Sequence, residues 1–215
     1  MNQILKLVFI LFVCENLLFA TTRGHNGDEY FGDVSNNNYA SFVYPEYKMA
    51  LNGDAKVRKI FQVSSGVLKA PLTNPATYTS IGLNGSYKFA DNLDENVSCA
   101  IAIPFELDTS SAPCLRVGFG CSATSGNVIF KIKYLYVGSN ESINNTTPDE
   151  TLYSTTTVSG VSYGYTYAEF CLSQISENDK FVEIVVERLG SQDTCNDDVY
   201  VIGLSLIYLS NKLGN

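Results

Sequence analysis

Histidine and tryptophan are almost absent from this chain. Its 215 residues include no Trp, and the only His is His25. A single histidine leaves most hydrolytic mechanisms without their usual base and excludes metal sites built from several imidazoles. No G-x-S-x-G elbow of a serine hydrolase is present either. We therefore expect a protein that is not an enzyme, with no catalytic residues, no cofactor and no metal site.

Positive charge is also scarce. The chain has 14 Lys and Arg against 22 Asp and Glu, a net charge of -8, and no run of basic residues. Nucleic acids and anionic lipid surfaces select proteins with basic patches. We expect no nucleic-acid partner.

Long apolar runs are missing except at the start of the chain. Lys6 precedes an apolar stretch over residues 7–13, Leu17, Leu18 and Phe19 extend it, and Ala20 follows. This order is typical of a secretory signal peptide over residues 1–20, although Leu18 stands where cleavage sites favour a smaller residue. Glu15 interrupts the run, so contact with a membrane is expected only through an uncleaved leader. The interpretation is a secreted, extracellular protein.

Five cysteines would remain after removal of the leader, and no pair of them has the C-x-x-C spacing of zinc or redox sites. In an oxidising compartment most of them should pair, so all are disulfide candidates: Cys99, Cys114, Cys121, Cys171 and Cys195. Cys99 and Cys121 fall on the apolar faces of their segments and form one possible bridge. Other pairings, or a buried free thiol, stay open because spacing does not decide connectivity.

Asn-x-Ser/Thr acceptors are frequent and crowd into residues 140–147. Export would make five asparagines candidates for glycosylation: Asn84, Asn96, Asn140, Asn144 and Asn145. Asn74 is excluded because Pro75 follows it. Solvated polar turns that match a loose pattern are the alternative interpretation.

Alternation of apolar and polar residues dominates the rest of the chain. Segments 97–103, 114–121, 127–138, 165–175, 180–189 and 198–209 all favour strands, and no helical crossovers separate them. This predicts an all-β fold, an antiparallel jelly-roll-like β-sandwich over residues 76–210. Residues 21–75 are predicted to be an N-terminal β-arm with strands near 39–44 and 55–63, and residues 211–215 a C-terminal tail.

Three alternating tyrosines share one face of their segment: Tyr163, Tyr165 and Tyr167. A row of tyrosines on a surface can stack on sugar rings. The alternative is a ladder of rings inside the sandwich. We treat the three as possible ligand contacts.

Arg188 and Asp193 bracket the turn after one predicted strand. Alternation points Arg188 toward the core, where it needs a carboxylate partner, and Asp193 is close in sequence. We predict a structural ion pair; the alternative is an Arg that binds a ligand. Asp193, Asp197 and Asp198 offer oxygen ligands to Ca²⁺, but a solvated turn explains them without a metal.

Several phrases, in this order, resemble proteins of phage and other viral particles: residues 32–42, 51–57, 64–78, 82–91, 101–108, 125–134 and 187–208. Members of that group look like jelly-roll sandwiches that serve as fibre, decoration or attachment modules. The cysteines, sequons and leader depart from phage proteins and imply an exported relative at a virion or cell surface. The resemblance also implies self-association, with a trimer as the usual form.

Two functions follow from these observations. The first is a non-enzymatic extracellular structural or adhesive protein that contacts an extracellular protein partner. The alternative is a secreted carbohydrate-binding, lectin-like domain that contacts a glycan through the tyrosine row.

Overall fold

The structure is a computed structural model. It describes residues 21–23, 29–33, 38–43, 48–51, 56–210 and 212–213. The predicted leader and His25 lie outside these residues. Among the described residues, no helix is long and apolar enough to cross a membrane.

The described residues form fifteen strands and one short 3-10 helix, Ser65–Val67. The strands are β1 (Thr21–Arg23), β2 (Glu29–Asp33), β3 (Asn38–Val43), β4 (Lys48–Leu51), β5 (Val57–Ser64), β6 (Thr77–Ile81), β7 (Asn84–Phe89), β8 (Asp94–Ala102), β9 (Cys114–Cys121), β10 (Asn127–Gly138), β11 (Glu150–Thr157), β12 (Thr166–Cys171), β13 (Asp179–Leu189), β14 (Val199–Ser210) and β15 (Lys212–Leu213).

The chain divides into two compact units. The smaller, Met1–Val57 with Ser210–Asn215, contains a sheet in the order β1-β2-β3-β4-β15. The larger, Arg58–Leu209, contains a four-stranded sheet in the order β11-β10-β13-β8 and a six-stranded sheet in the order β12-β9-β14-β7-β6, with β5 paired to β14. The predicted boundaries of leader, arm, sandwich and tail stay predictions.

The two sheets of the larger unit bury one face each in a shared core. Along β9 and β10 every second side chain is apolar and inaccessible, as it is from Val182 to Val186 in β13. Phe119 of β9 meets Phe130 of β10 edge-to-face, with ring centroids 5.1 Å apart. Strands that follow each other in sequence mostly alternate between the sheets. The predicted all-β, antiparallel sandwich is confirmed.

Period-two alternation located the central strands well. β9 and β10 have the predicted bounds, and β8, β12, β13 and β14 begin and end within three or four residues of them. Three strands of the sandwich were not predicted, namely β6, β7 and β11. β6 (TYTSI) and β11 (ETLYSTTT) lie at sheet edges and are rich in Thr and Ser, so they lack the apolar alternation of a central strand.

Two backbone irregularities shape the outer face of the six-stranded sheet. Gly82 has a positive φ of 57° in the tight turn between β6 and β7, which glycine adopts without strain. In β14 the register shifts between Val201 and Gly203, so the buried positions change from odd to even numbers there. Tyr200 and Ile202 lie on the outer face through the regular alternation that precedes this shift.

Candidate functional site

The three predicted tyrosines stand on the outside of the sandwich. The exposed fractions are 53% for Tyr163, 62% for Tyr165 and 41% for Tyr167. Tyr163 and Tyr165 precede β12, and Tyr167 belongs to it. The alternative interpretation, a ladder of rings inside the sandwich, is therefore wrong.

Two glycines of β9 make room for this aromatic segment. A Cβ atom on Gly118 would lie 3.0 Å from Cε2 of Tyr165, and one on Gly120 would lie 3.3 Å from the carbonyl oxygen of Tyr163. β9 pairs with β12, so both glycines lie beside the tyrosines on the sheet. The bare backbone of β9 lets the tyrosine segment rest directly on the outer face.

Tyr163 has an unusual backbone. Its φ is +58°, in the left-handed region that bulky residues rarely adopt. Its N–H donates a hydrogen bond to the carbonyl oxygen of Cys121 at 2.7 Å, and its ring centroid lies 5.9 Å from that of Tyr200. Strained conformations of this kind cluster at binding sites.

These tyrosines border an open groove on the six-stranded sheet, which we call the aromatic groove. It has a volume of about 590 Å³. The tyrosine rings are those of Tyr163, Tyr165 and Tyr200, and the other lining residues are Ser80, Ile81, Gly82, Asn84, Phe119, Gly120 and Ile202. None of the lining side chains is charged. The arrangement offers amphipathic rings, a hydroxyl and an amide to an uncharged ligand.

A second open groove of about 740 Å³ shares Tyr165 and Ile202 with the first. Phe61 and Val67 line it, and both are exposed large apolar side chains. The two grooves therefore adjoin at Tyr165 and Ile202. A ligand longer than a single ring can therefore extend past Tyr165.

Tyr200 was missed by the sequence analysis. Residues 198–209 read as an apolar central strand on both faces, so the sequence does not show that Tyr200 faces outward between the buried Val199 and Val201. Burial, together with the nearby carboxylate of Asp198, raises the pKa of Tyr200, so its phenol is neutral at physiological pH.

Tyr167 lies outside the groove and has a partner of its own. The guanidinium carbon of Arg116 lies 4.2 Å from its ring centroid, and Arg116 also pairs with Glu169. One face of the Tyr167 ring is therefore covered. Of the three tyrosines singled out from the sequence, Tyr163 and Tyr165 line the groove, and Tyr200 is the third tyrosine there.

Arg188 and Asp193 lie together in the interior. Nε and Nη2 of Arg188 donate to the two carboxylate oxygens of Asp193 at 2.8 and 3.2 Å, and both side chains are almost inaccessible. Arg188 also donates to carbonyl oxygens of Phe89, Ala90, Cys195 and Asp197. With its guanidinium satisfied inside the protein, Arg188 has no surface left for a ligand. The acidic loop contributes to this network, and among the described residues no group of His, Cys, Asp and Glu is arranged to hold a metal ion.

The sequons fall at different kinds of position. Asn140, Asn144 and Asn145 are exposed between β10 and β11, whereas the side chain of Asn96 donates to the carbonyl oxygen of Thr73. Asn84 is exposed and lines the aromatic groove. A glycan on Asn84 would compete with a ligand for that space.

The cysteines form two close pairs and one single residue. The Sγ atoms of Cys121 and Cys195 are 3.0 Å apart, and those of Cys114 and Cys171 are 3.4 Å apart. Cys99 is buried in the four-stranded sheet. The possible bridge between Cys99 and Cys121 is not favoured, because Cys121 already adjoins Cys195.

No protein-family model and no curated protein matches this chain. Among solved structures it is similar to a xylan-binding module of carbohydrate-binding family 15, at 10% identity over 71% of this chain and 97% of that one, with a TM-score of 0.45. It is also similar to the C-terminal family 22 module of Clostridium thermocellum Xyn10B, at 10% identity over 72% and 96%, with a TM-score of 0.40. A family 61 module solved with β-1,4-galactotriose matches at 10% identity over 72% and 88%, with a TM-score of 0.34.

These findings correct the resemblance stated from the sequence. The structural neighbours are carbohydrate-binding modules, not phage or viral particle proteins, and no family match supports the viral assignment. The prediction of a viral-type attachment module is wrong.

Proposed function

We propose that this chain is a secreted carbohydrate-binding domain that holds a neutral sugar chain in the aromatic groove. The observation that carries the proposal is the set of three accessible tyrosine rings around a lining without charge. The C–H faces of sugar rings stack on such rings, and hydroxyl and amide groups at the edge fix the orientation of the ligand. The groove thus favours the lectin-like alternative over a purely structural role.

We also propose that the domain binds its ligand without cleaving it. Glycoside hydrolysis commonly needs two carboxyl groups flanking the scissile bond. The lining of the aromatic groove contains no carboxylate. This supports binding as the role of the site.

The ligand class follows from shape and charge. The groove is open and continues past Tyr165 into the second groove, which suits an extended chain better than a single terminal sugar. The protein is acidic overall, with a net charge of -8, so an anionic polysaccharide would be repelled. Neutral polysaccharides such as xylan or β-1,4-galactan are the first to test.

The experiment is titration calorimetry of the purified protein against soluble neutral polysaccharides and against polygalacturonate as the anionic comparison. N-glycans should first be removed, because Asn84 lies in the groove. We expect binding to at least one neutral chain and about a tenfold or greater loss in Tyr165→Ala, roughly 1.4 kcal/mol. Tyr153→Ala is the matched control, since Tyr153 is 65% exposed on β11 of the other sheet.

Two outcomes contradict the proposal. One is the absence of binding to every neutral polysaccharide by correctly folded protein. The other is an equal loss of affinity in Tyr165→Ala and Tyr153→Ala. Release of new reducing ends from a bound polysaccharide would contradict the proposal that the site does not cleave its ligand.

Secretion, glycosylation of the sequons other than Asn84 and self-association complete the proposed picture. N-terminal sequencing of exported protein tests removal of the leader. Intact mass with and without N-glycosidase tests the sequons, and sedimentation tests the predicted homo-oligomer.

A further inference from the structure

Two cysteines in the core of the sandwich are in contact. Cys121 ends β9, Cys195 lies in the loop before β14, and both side chains are buried with their Sγ atoms 3.0 Å apart. A disulfide needs its sulfurs about 2 Å apart, so a small change of side-chain torsion would suffice.

A second pair lies across neighbouring strands. Cys114 of β9 and Cys171 of β12 are direct antiparallel partners, and their Sγ atoms are 3.4 Å apart. Directly opposed residues in an antiparallel ladder have Cα atoms about 4.5–5.5 Å apart, which falls in the range that a disulfide spans. Cys171 is exposed, so an oxidant can reach this pair in the folded protein.

Cys99 has no cysteine neighbour of this kind. It lies on β8 of the four-stranded sheet, opposite Ile184 of β13 and within the core. The other four cysteines contact one another in two pairs, which leaves Cys99 without a partner.

We propose that the exported protein carries two disulfide bonds, Cys121–Cys195 and Cys114–Cys171, and keeps Cys99 as a buried free thiol. Each bond forms by thiol–disulfide exchange with a low-molecular-weight disulfide. One cysteine thiolate attacks that disulfide and releases one thiol, and the second thiolate then displaces the other. Two cysteine thiols are oxidised, one disulfide is reduced to two thiols, and the protons pass to the released thiolates. This proposal does not rest on sugar binding.

The first bond connects two parts of the protein that bear on the groove. The carbonyl oxygen of Cys121 accepts a hydrogen bond from the N–H of Tyr163, and the carbonyl oxygen of Cys195 accepts one from Nη2 of Arg188. Closing Cys121 to Cys195 therefore fastens the loop before β14 to the end of β9, beside which the tyrosine segment rests. The second bond fastens the far end of β12 to β9.

The test is peptide mapping of the full chain made through an oxidising secretory route, alkylated without reduction, with the same chain made in a reducing cytosol as the reference. Trypsin cleaves at Arg116, which separates Cys114 from Cys121, and a Glu-specific protease cleaves at Glu106, which separates Cys99 from Cys114. We expect linked peptides 117–131 with 189–212, and a linked pair that contains Cys114 and Cys171. Cys99 should become alkylated only after denaturation.

A variant series tests the same assignment through stability. Without reductant, we expect the double variant Cys121→Ser/Cys195→Ser to unfold at a lower denaturant concentration than the parent. Adding reductant to both proteins should make this difference in midpoint smaller. The double variant Cys114→Ser/Cys171→Ser should behave in the same way. For Cys99→Val, the difference in midpoint from the parent should not depend on reductant. A bridge that contains Cys99, or full alkylation of native Cys121 and Cys195 in the secreted protein, would overturn the proposal.

Discussion

The ring of Tyr165 lies on Gly118, close enough that a Cβ atom there would come within 3.0 Å of Cε2 of the ring. The two residues belong to neighbouring parts of the six-stranded sheet, because Gly118 of β9 pairs with Tyr167 of β12. Because Gly118 has no side chain, the accessible ring of Tyr165 can pack directly against the backbone of the sheet. The position of the ring depends on the backbone beneath it.

Substituting Gly118→Val should displace Tyr165 and weaken sugar binding about tenfold, roughly 1.4 kcal/mol. The new Cβ would meet the flexible end of a tyrosine, so the free energy of unfolding should change by less than about 1 kcal/mol. Calorimetric titration and urea unfolding measure the two quantities. Thr155→Val on β11 is the control, because it introduces valine on the other sheet at an exposed position away from the groove. Unchanged affinity in Gly118→Val would show that the position of the Tyr165 ring does not matter.

Tyr163 allows ring and backbone to be tested separately. Its φ of +58° is costly for any residue with a Cβ and cheap for glycine, a difference of about 1–2 kcal/mol. Tyr163→Ala and Tyr163→Gly both remove the ring, so both should lose affinity to the same extent. The glycine variant should be more stable than the alanine variant by about 1 kcal/mol.

Thermal and urea unfolding of the two Tyr163 variants provide the comparison. Equal stabilities would mean that the positive φ carries no strain. Retained affinity in either variant would remove Tyr163 from the ligand contacts.

Alternation along the strands predicted the sandwich because burial enforces it. In NVIFKIKYLYVG the odd and even positions differ sharply in polarity, and the side chains from Val128 to Tyr136 that were assigned to one face are buried. The same rule placed Tyr163, Tyr165 and Tyr167 on one face of their segment but did not say which face. That depended on Gly118 and Gly120, which lie far away in sequence.

The rest of the site depends on relations between distant strands. Tyr200 joins the groove because β14 pairs with β9 and places Tyr200 opposite Gly120, and Ser80 and Asn84 join it through the β6–β7 hairpin. Likewise, cysteine spacing left the pairing open, whereas the register of β9 and β12 places Cys114 opposite Cys171. Sequence periodicity is a local property, and these contacts are not local.

Arg188 should be far more important to stability than an exposed arginine in a similar pair. Removing one partner of a buried ion pair leaves an uncompensated charge or unsatisfied carbonyl groups and costs about 3–5 kcal/mol. We expect losses of this size in Arg188→Met and in Asp193→Asn, measured by urea unfolding. Arg116→Met, which breaks the accessible pair with Glu169, should cost no more than about 1 kcal/mol. Similar losses in Arg188→Met and Arg116→Met would contradict the structural role of the buried pair.

Alkaline pH should destabilise the protein through Cys99. Burial raises the pKa of this thiol from 9.0 to about 12 on folding. Because the folded pKa is the higher one, the contribution is fully present below pH 9 and is lost as the pH rises toward 12. Over one pH unit within that window, the parent should lose about 1 kcal/mol more stability than Cys99→Val, which does not titrate. Urea unfolding at pH 9.5 and 10.5 measures this difference directly. Buried tyrosines titrate in both proteins and cancel in the comparison, so parallel losses would mean that Cys99 ionises as readily in the folded protein as in the unfolded chain.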